Sequence, residues 1–299
     1  MKEKKIGIVT VLYNSETVLD DFFSTLALQS YKTFVLYIVD NKSPDNSLAK
    51  AKELASQNDF ETVFIENPQN DGVAKGNNLG IEKALADGCD YVLLSNNDVV
   101  LYEDTIKNLL FATEHNNVLV TVPKILIYDN KNIWFAGGEL NFRTFRVKHI
   151  GIDCPDNEIY NHEKFITYSP TCVMLIHKDV FTEVGLMDEK YFVYWDDTDF
   201  VYRLQKKEIK ILYAPSSCLE HKESVCTGNK SDFFYKYIYR NREYFINKYA
   251  RFKTFMHFID FTYLYTVMKY KMRNNKRQWQ IVRDAMKEGC RMFPEKGNL

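Results

Sequence analysis

The segment Tyr194-Trp195-Asp196-Asp197-Thr198-Asp199-Phe200 places three carboxylates within four positions of an otherwise apolar stretch. Carboxylates crowded on an apolar background repel one another and lose hydration, so they need caps, partners or a task. One such task is taking a proton from a hydroxyl as it attacks. The plain reading is a helix start, where the macrodipole favours negative charge and Asp199 pairs with Arg203 at i,i+4. A cap accounts for one aspartate well and for three poorly. Asn96-Asn97-Asp98 follows the hydrophobic run 91–95. A carboxylate just past a strand can bridge a hard cation to a diphosphate, or it can cap a helix beginning near Tyr102. His221, in Cys218-Leu219-Glu220-His221, follows a strand-like run at 209–213 and is either a ligand or a structural histidine. Residues 70–80, Asn-Asp-Gly-Val-Ala-Lys-Gly-Asn-Asn-Leu-Gly, read as a polar, glycine-punctuated loop opening a helix. Such a loop lets backbone approach a ligand or simply turns the chain. It carries neither G-x-G-x-x-G nor G-K-[ST], so neither a dinucleotide fingerprint nor a P-loop is present.

These residues need a frame. Residues 6–12, 34–39, 62–65 and 91–95 are short, β-branched or aromatic runs that end in polar or turn residues. Helical patterns lie between them: Val18, Leu19, Phe22, Phe23 and Leu26 at helical spacing, then 48–57, 77–86 and 103–114. Strands alternating with helices predict βαβ units and a mostly parallel, Rossmann-like sheet. Ligands bind at the carboxyl ends of such strands, which singles out Tyr13-Asn14, Asp40-Asn41 and Asn96-Asn97-Asp98. From 118 to 147 the pattern is irregular and strand-rich, with Gly137-Gly138 as a tight turn, and 154–164 reads as loop. A strand at 171–176, a short helix after Lys178 and a helix near Asp196 follow. Beyond His221 no strand pattern remains, and 231–292 reads as helical.

The 299 residues can bury a full core, and a formal net charge of −1 argues against a dedicated nucleic-acid binder, which needs a basic surface. Cys89, Cys154, Cys172, Cys218, Cys226 and Cys290 are scattered without a C-x-x-C pair, so neither a zinc site nor a disulfide framework is expected. A reduced, cytoplasmic chain is the simplest expectation. The apolar run 6–12 is too short to span a membrane and lacks a cleavage site, so it reads as a strand rather than a signal peptide.

Taken in order, the motifs resemble those of GT-A-fold glycosyltransferases of family 2, especially the bacterial rhamnosyl- and galactofuranosyltransferase-like branch. The resemblance covers about residues 6–241. It rests on Val9-Thr10-Val11-Leu12-Tyr13-Asn14, Ile38-Val39-Asp40-Asn41-Lys42-Ser43, Gly76-Asn77-Asn78-Leu79-Gly80 and Leu94-Ser95-Asn96-Asn97-Asp98. Gly185-Leu186-Met187-Asp188-Glu189, Trp195-Asp196-Asp197-Thr198-Asp199 and Tyr239-Arg240-Asn241 extend it. It implies a GT-A catalytic domain over 1–230, with a nucleotide-binding half at 1–117 and an acceptor and catalytic half at 118–230, then a helical region at 231–299.

By this resemblance, Asp98 is the last carboxylate of a D-x-D motif and, with His221, holds Mg²⁺ or Mn²⁺ against the donor diphosphate. The chain departs from the motif at Asn96, a neutral amide that weakens metal affinity unless the diphosphate completes the site. Asp197 corresponds to the catalytic base, with Asp196 beside it. Tyr13, Asn14, Asp40, Asn41, Lys75, Asn77 and Asn97 fall where relatives hold the base and ribose; Trp195, Asp199 and Arg240 fall near acceptor or donor phosphate. A hydroxyl becomes a competent nucleophile when a positioned carboxylate takes its proton, and one base opposite the leaving group means single displacement with inversion. The implied reaction moves rhamnose, galactofuranose or another hexose from a UDP- or dTDP-sugar to a saccharide or lipid-linked saccharide, in making bacterial surface polysaccharide such as O-antigen or capsule. The rivals are a non-catalytic nucleotide-sugar-binding module and a sugar-phosphate nucleotidyltransferase. The second lacks its expected glycine-rich, Arg-containing loop, since Leu12-Tyr13-Asn14-Ser15 stands there.

In the tail, Arg251, Lys253, Lys269, Lys271, Arg273, Lys276, Arg277 and Arg283 interleave with Phe252, Phe255, Met256, Phe258, Phe261, Tyr263, Leu264 and Trp279. Basic-aromatic helices lie on anionic membranes, here the inner face of the plasma membrane, or pack against the core or a second copy of the chain.

Overall fold

The computed structural model describes residues 3–222, 231–271 and 275–293, without the side chains at 263–265, 267–269 and 271. Cys226, Arg273 and the expected boundary at 230 lie outside these residues, as do the side chains of Tyr263, Leu264, Lys269 and Lys271. The chain forms two compact units: Met1–Lys190 with Asp196–Cys226, and Tyr191–Trp195 with Thr227–Leu299.

The first unit is α/β. Its elements run β1 (Ile6–Leu12), α1 (Leu19–Ala27), β2 (Phe34–Asp40), α2 (Ser47–Ser56), β3 (Thr62–Glu66), α3 (Gly72–Ala86), β4 (Tyr91–Ser95), β5 (Val99–Leu101) and α4 (Thr105–His115). Then come β6 (Val120–Ile127), β7 (Ile133–Phe135), β8 (Gly138–Asn141), β9 (Arg146–His149), β10 (Lys164–Ile166), β11 (Val173–His177), α5 (Asp179–Val184), α6 (Asp196–Lys206) and β12 (Ile211–His221). The main sheet follows the order β10-β12-β6-β11-β4-β1-β2-β3, with β5 on β12 and β7 on β6. The run β3, β2, β1 and β4 is all parallel, while β11 enters antiparallel between β4 and β6. β1, β2 and β4 are buried almost throughout, as continuous apolar runs covered on both faces should be.

Two expectations change. The helix expected from residue 77 starts five residues earlier, because α3 begins at Gly72. Its glycines serve packing: a Cβ on Gly76 would meet Val11 at 2.8 Å, and one on Gly80 would meet Val9 at 2.3 Å. Bare backbone on this face lets α3 lie directly on β1. The run at 209–213 and His221 belong to one strand, β12, which crosses Pro215-Ser216-Ser217 through a register shift between Ala214 and Cys218.

The second unit holds α7 (Asp232–Tyr249), α8 (Lys253–Lys271) and α9 (Lys276–Arg291). Val282 and Met286 form a small core packed by Tyr235, Tyr239, Phe261 and Trp279. Arg242 grips Asp260 with two hydrogen bonds, of 2.5 and 3.0 Å, and thereby ties α7 to α8. Within 191–195, Phe192, Tyr194 and Trp195 all adopt positive φ without being glycine, a costly backbone. Asn241 holds it, its amide nitrogen donating to the carbonyls of Tyr191, Val193 and Tyr194 at 2.7–2.8 Å. Among the described residues no helix is long and apolar enough to cross a membrane.

Candidate active site

Parallel pairing brings the ends of β1, β2 and β4 to one edge of the sheet. Asn97 pins the turn after β4 to β1, donating to the Val11 carbonyl at 2.8 Å. Asp98 follows, and the next residues form β5 rather than a helix, so the capping alternative for Asp98 is gone. β5 pairs antiparallel with β12, Val99 opposite His221. That register places the His221 ring against the Asp98 carboxylate, Nε2 to Oδ1 at 3.2 Å, with both groups buried. Burial alone would raise the Asp98 carboxyl, but His221 outweighs it and holds the group below the ordinary carboxylate range. Burial would likewise lower the imidazole, yet Cys172 and Asp98 push it well above its usual value. Asp98 Oδ1 receives no well-directed hydrogen bond, its contact with His221 Nε2 being an ion-pair approach, and His221 Nδ1 has no hydrogen-bond partner. Two buried, unsatisfied polar atoms on adjacent side chains, one carboxylate and one imidazole, suit a divalent cation. The donor set therefore fits Mg²⁺ or Mn²⁺, while Asn96 reaches Asp98 as a hydrogen-bond donor instead of adding charge.

A second acidic pole sits at the start of α6. Asp196 is buried, and desolvation, then the charges of Asp197 and Asp199, lift its carboxyl to about 7. Asp197 is raised as well, chiefly by burial. Tyr168 opposes that rise by donating its hydroxyl to Asp197 Oδ2 at 2.8 Å, and the Thr198 hydroxyl donates to Oδ1 at 3.1 Å. Asp199 takes the intrahelical alternative: fully buried, it binds Arg203 Nε at 2.8 Å. The same guanidinium donates to the carbonyls of Val184 and Leu186, tying α6 to the end of α5.

A run of rings connects the two poles. Trp134 meets His221 edge-on at 4.7 Å and His149 at 5.1 Å; His149 lies 5.7 Å from Tyr168, which holds Asp197.

The expected nucleotide contacts divide. Tyr13 is exposed, and Asn14 takes a left-handed turn with its N–H on Ser43 Oγ at 2.8 Å. Asp40 ends β2, accepts from the Ser43 N–H at 3.1 Å and is raised by burial. Asn41 is spent inside the protein, donating to the Gly72 carbonyl and accepting from Asn67. Asn77 points at Met187, and Lys75 pairs with Glu189 at 3.1 Å. Trp195 and Arg240 lie in the second unit. Trp195 packs on Phe245, and Arg240 donates to the Tyr191 carbonyl at 2.9 Å and to Asn241 at 2.7 Å. Those contacts are a structural use of the guanidinium. A surface cavity of about 510 Å³ against α1 and α2, lined by residues such as Asp20, Lys50 and Glu53, includes none of these candidates.

Cys172, Trp134, His149 and Tyr168 are site residues that the sequence did not reveal. They are single residues on separate elements and carry no spacing signal; only the folded sheet brings them together.

A family model described as glycosyl transferase family 2 matches residues 7–178, more than half the chain. The low-salt glycan biosynthesis hexosyltransferase Agl10 of Haloferax volcanii is 26% identical over 211 residues, which is 69% of this chain and 63% of that protein. The dTDP-rhamnosyl transferase RfbF of Shigella flexneri is 26% identical over 227 residues, 76% of this chain and 70% of that one. The chain thus spans just under two thirds of the first relative's length. Among solved structures, GalNAc-T7 with UDP, GalNAc and Mn²⁺ superposes with a TM-score of 0.64 at 14% identity, covering 82% of this chain and 50% of that one. The architecture is that of the GT-A glycosyltransferases. Within that class, the chain belongs to glycosyl transferase family 2.

Proposed function

We propose that the chain is an inverting glycosyltransferase, moving rhamnose, galactofuranose or another hexose from a UDP- or dTDP-sugar to a saccharide or lipid-linked acceptor in the synthesis of bacterial surface polysaccharide. The observation that carries the reading is the buried Asp98–His221 pair with its two unsatisfied atoms at the carboxyl edge of the sheet. Asp98 and His221 would hold Mg²⁺ or Mn²⁺. Bound there, the cation would offset the negative charge that develops on the departing nucleoside diphosphate. A dTDP-rhamnosyl transferase among the similar proteins, and a structural neighbour that binds UDP and Mn²⁺, agree in kind with this reading.

Asp197 is the base in this reading. A carboxylate raised by burial takes a hydroxyl proton more readily than one in water, and Tyr168 keeps its second oxygen in place. Tyr13, Asn14 and Asp40 face the nucleoside; Asn41, Asn77, Asn97 and Lys75 shape its walls through their contacts within the protein. Residues 1–117 form the donor half and 118–230 the acceptor half, with Asp196 supporting the base.

Phe255 and Phe258 on α8, and Phe252 just before it, are all more than 60% exposed, while Phe261 packs inward. This outward row, beside Arg251 and Lys253, supports contact with the inner face of an anionic membrane, or with a second copy of the chain.

The test is transfer from UDP- and dTDP-sugars with and without Mn²⁺, followed by the anomeric configuration of the product by NMR. Metal-dependent transfer with inversion is expected. A retained configuration removes the single-base mechanism, and nucleotide-sugar binding without transfer or donor hydrolysis leaves the binding-module reading.

A further inference from the structure

Three helices of the second unit each bring one metal-ligating atom to a common point. Glu243 comes from α7, His257 from α8 and Cys290 from α9, and their ligand atoms all lie within 4.8 Å of one another. The spacing 243, 257, 290 has no metal-binding signature, so this cluster exists only in the fold. Gly289 makes it possible: a Cβ there would meet the Arg240 carbonyl at 2.1 Å and Glu243 Cβ at 2.8 Å. Only glycine lets α9 press onto α7 and set the Cys290 thiol beside the Glu243 carboxylate.

Hydrogen bonding dictates which atom His257 presents. The Asn247 amide nitrogen donates to the carbonyls of Gly289, Cys290 and Met292 at 2.9–3.1 Å. Its Oδ1 must therefore be the atom that faces His257 Nε2, at 2.9 Å. A carbonyl oxygen can only accept, so Nε2 carries a proton. In the neutral ring that leaves a lone pair on Nδ1, directed at Glu243 Oε2 only 2.5 Å away. A lone pair against a carboxylate at that distance requires a positive species between them. A single proton supplies one, but it leaves Glu243 Oε1 buried without any partner, in a side chain with no exposure. The Cys290 thiol then adds only long, weak contacts to the same two atoms, Glu243 Oε2 and His257 Nδ1.

We propose that Glu243, His257 and Cys290 form a zinc site that binds α7, α8 and α9 together. Thiolate, imidazole and carboxylate are the donors Zn²⁺ selects, and an outer hydrogen bond from the free ring nitrogen to a fixed carbonyl oxygen is the usual support for a histidine ligand. Tetrahedral zinc places sulfur about 3.5 Å from its nitrogen and oxygen co-ligands. Cys290 Sγ already lies 3.5 Å from both His257 Nδ1 and Glu243 Oε2. The third edge, now closed by the hydrogen bond, opens to about 3.3 Å when the ion replaces the proton. Cys290 and His257 are partly exposed, which gives a path for the ion and room for water as the fourth ligand. On binding, zinc takes the place of one proton on the thiol and one between imidazole and carboxylate, and both leave to solvent.

The full chain is stripped with chelator and titrated with Zn²⁺ and with Co²⁺. Binding of about one zinc per chain, a higher melting temperature and a thiolate-to-cobalt charge-transfer band are expected. Cys290→Ser should abolish the band and weaken zinc binding at least about 100-fold, whereas Cys172→Ser and Cys154→Ser should keep the band. His257→Gln provides a second variant should Cys290→Ser not fold, as judged by circular dichroism; it should also lose the band. A wild-type chain with no charge-transfer band overturns the site, as does a band that survives Cys290→Ser or vanishes with Cys172→Ser.

Discussion

Asp98 is buried and Asp197 half-buried, yet the fold drives their carboxyls in opposite directions. His221 beside Asp98 lowers that carboxyl, whereas desolvation raises both Asp197, despite the charge of His149, and Asp196. A lowered carboxylate with an open lone pair suits a cation, and a raised one suits a proton. The difference teaches that neighbours, rather than residue type, divide the labour between two aspartate clusters. A helix start that holds three acids gains from the macrodipole, but α6 carries one ion pair, Asp199 with Arg203, and leaves the other two acids with hydroxyl and backbone donors only.

Removing the proposed metal pole should cost most. Asp98→Ala takes away the carboxylate and leaves His221 alone, so transfer at fixed Mn²⁺ should fall about 10³-fold. Raising Mn²⁺ should recover part of it, as a steady-state titration would measure. Asp197→Asn keeps the shape but cannot take the proton, so turnover should fall by about 10²-fold or more. Nucleotide affinity, by calorimetry, should hardly change, and added Mn²⁺ should restore nothing. If metal rescues Asp197→Asn, or fails to help Asp98→Ala, the division between the poles is wrong.

Tyr168→Phe probes the link between Asp197 and its neighbours. The lost hydroxyl is the one that opposes the rise of Asp197, so its carboxyl should climb further. The acidic limb of the turnover–pH profile should move to higher pH, with activity recovering above it. A uniform loss at every pH would mean that Tyr168 acts only through packing.

Much of the frame was readable because β1, β2 and β4 are continuous apolar runs ended by polar residues, a pattern that burial on both faces imposes. α3 was misjudged at its start because glycine signals a turn in sequence, whereas Gly76 and Gly80 answer to Val11 and Val9 across the layer. β12 was divided because Pro215-Ser216-Ser217 interrupts the pattern, and only pairing with β6 and β5 carries the strand through to His221. The family motifs pointed to Asp98, His221 and Asp197, but Trp134, His149 and Tyr168 have meaning only through ring and hydroxyl contacts made after folding. The Glu243, His257 and Cys290 cluster is of the same kind, three helices apart and silent in sequence.

The smallest effect on catalysis should come from Asp196→Asn, and there the contrast between the poles turns into stability. Asp196 titrates near 7 when folded and near 3.8 when unfolded, burial being the main cause. Below about pH 4 both states hold the proton and the group costs nothing. As pH rises from there through 7, the unfolded chain has released its proton while the folded chain still keeps it, so stability declines; above 7 the full penalty remains. Asparagine has no proton to release. The variant should therefore match the parent in melting temperature at pH 4 and exceed it by several degrees at pH 8, on the order of 4 kcal/mol. Thermal melts at the two values measure this, and turnover measured alongside should fall by no more than about tenfold. Equal melting temperatures at pH 8 would mean that Asp196 ionises freely, and the raised pole would then consist of Asp197 alone.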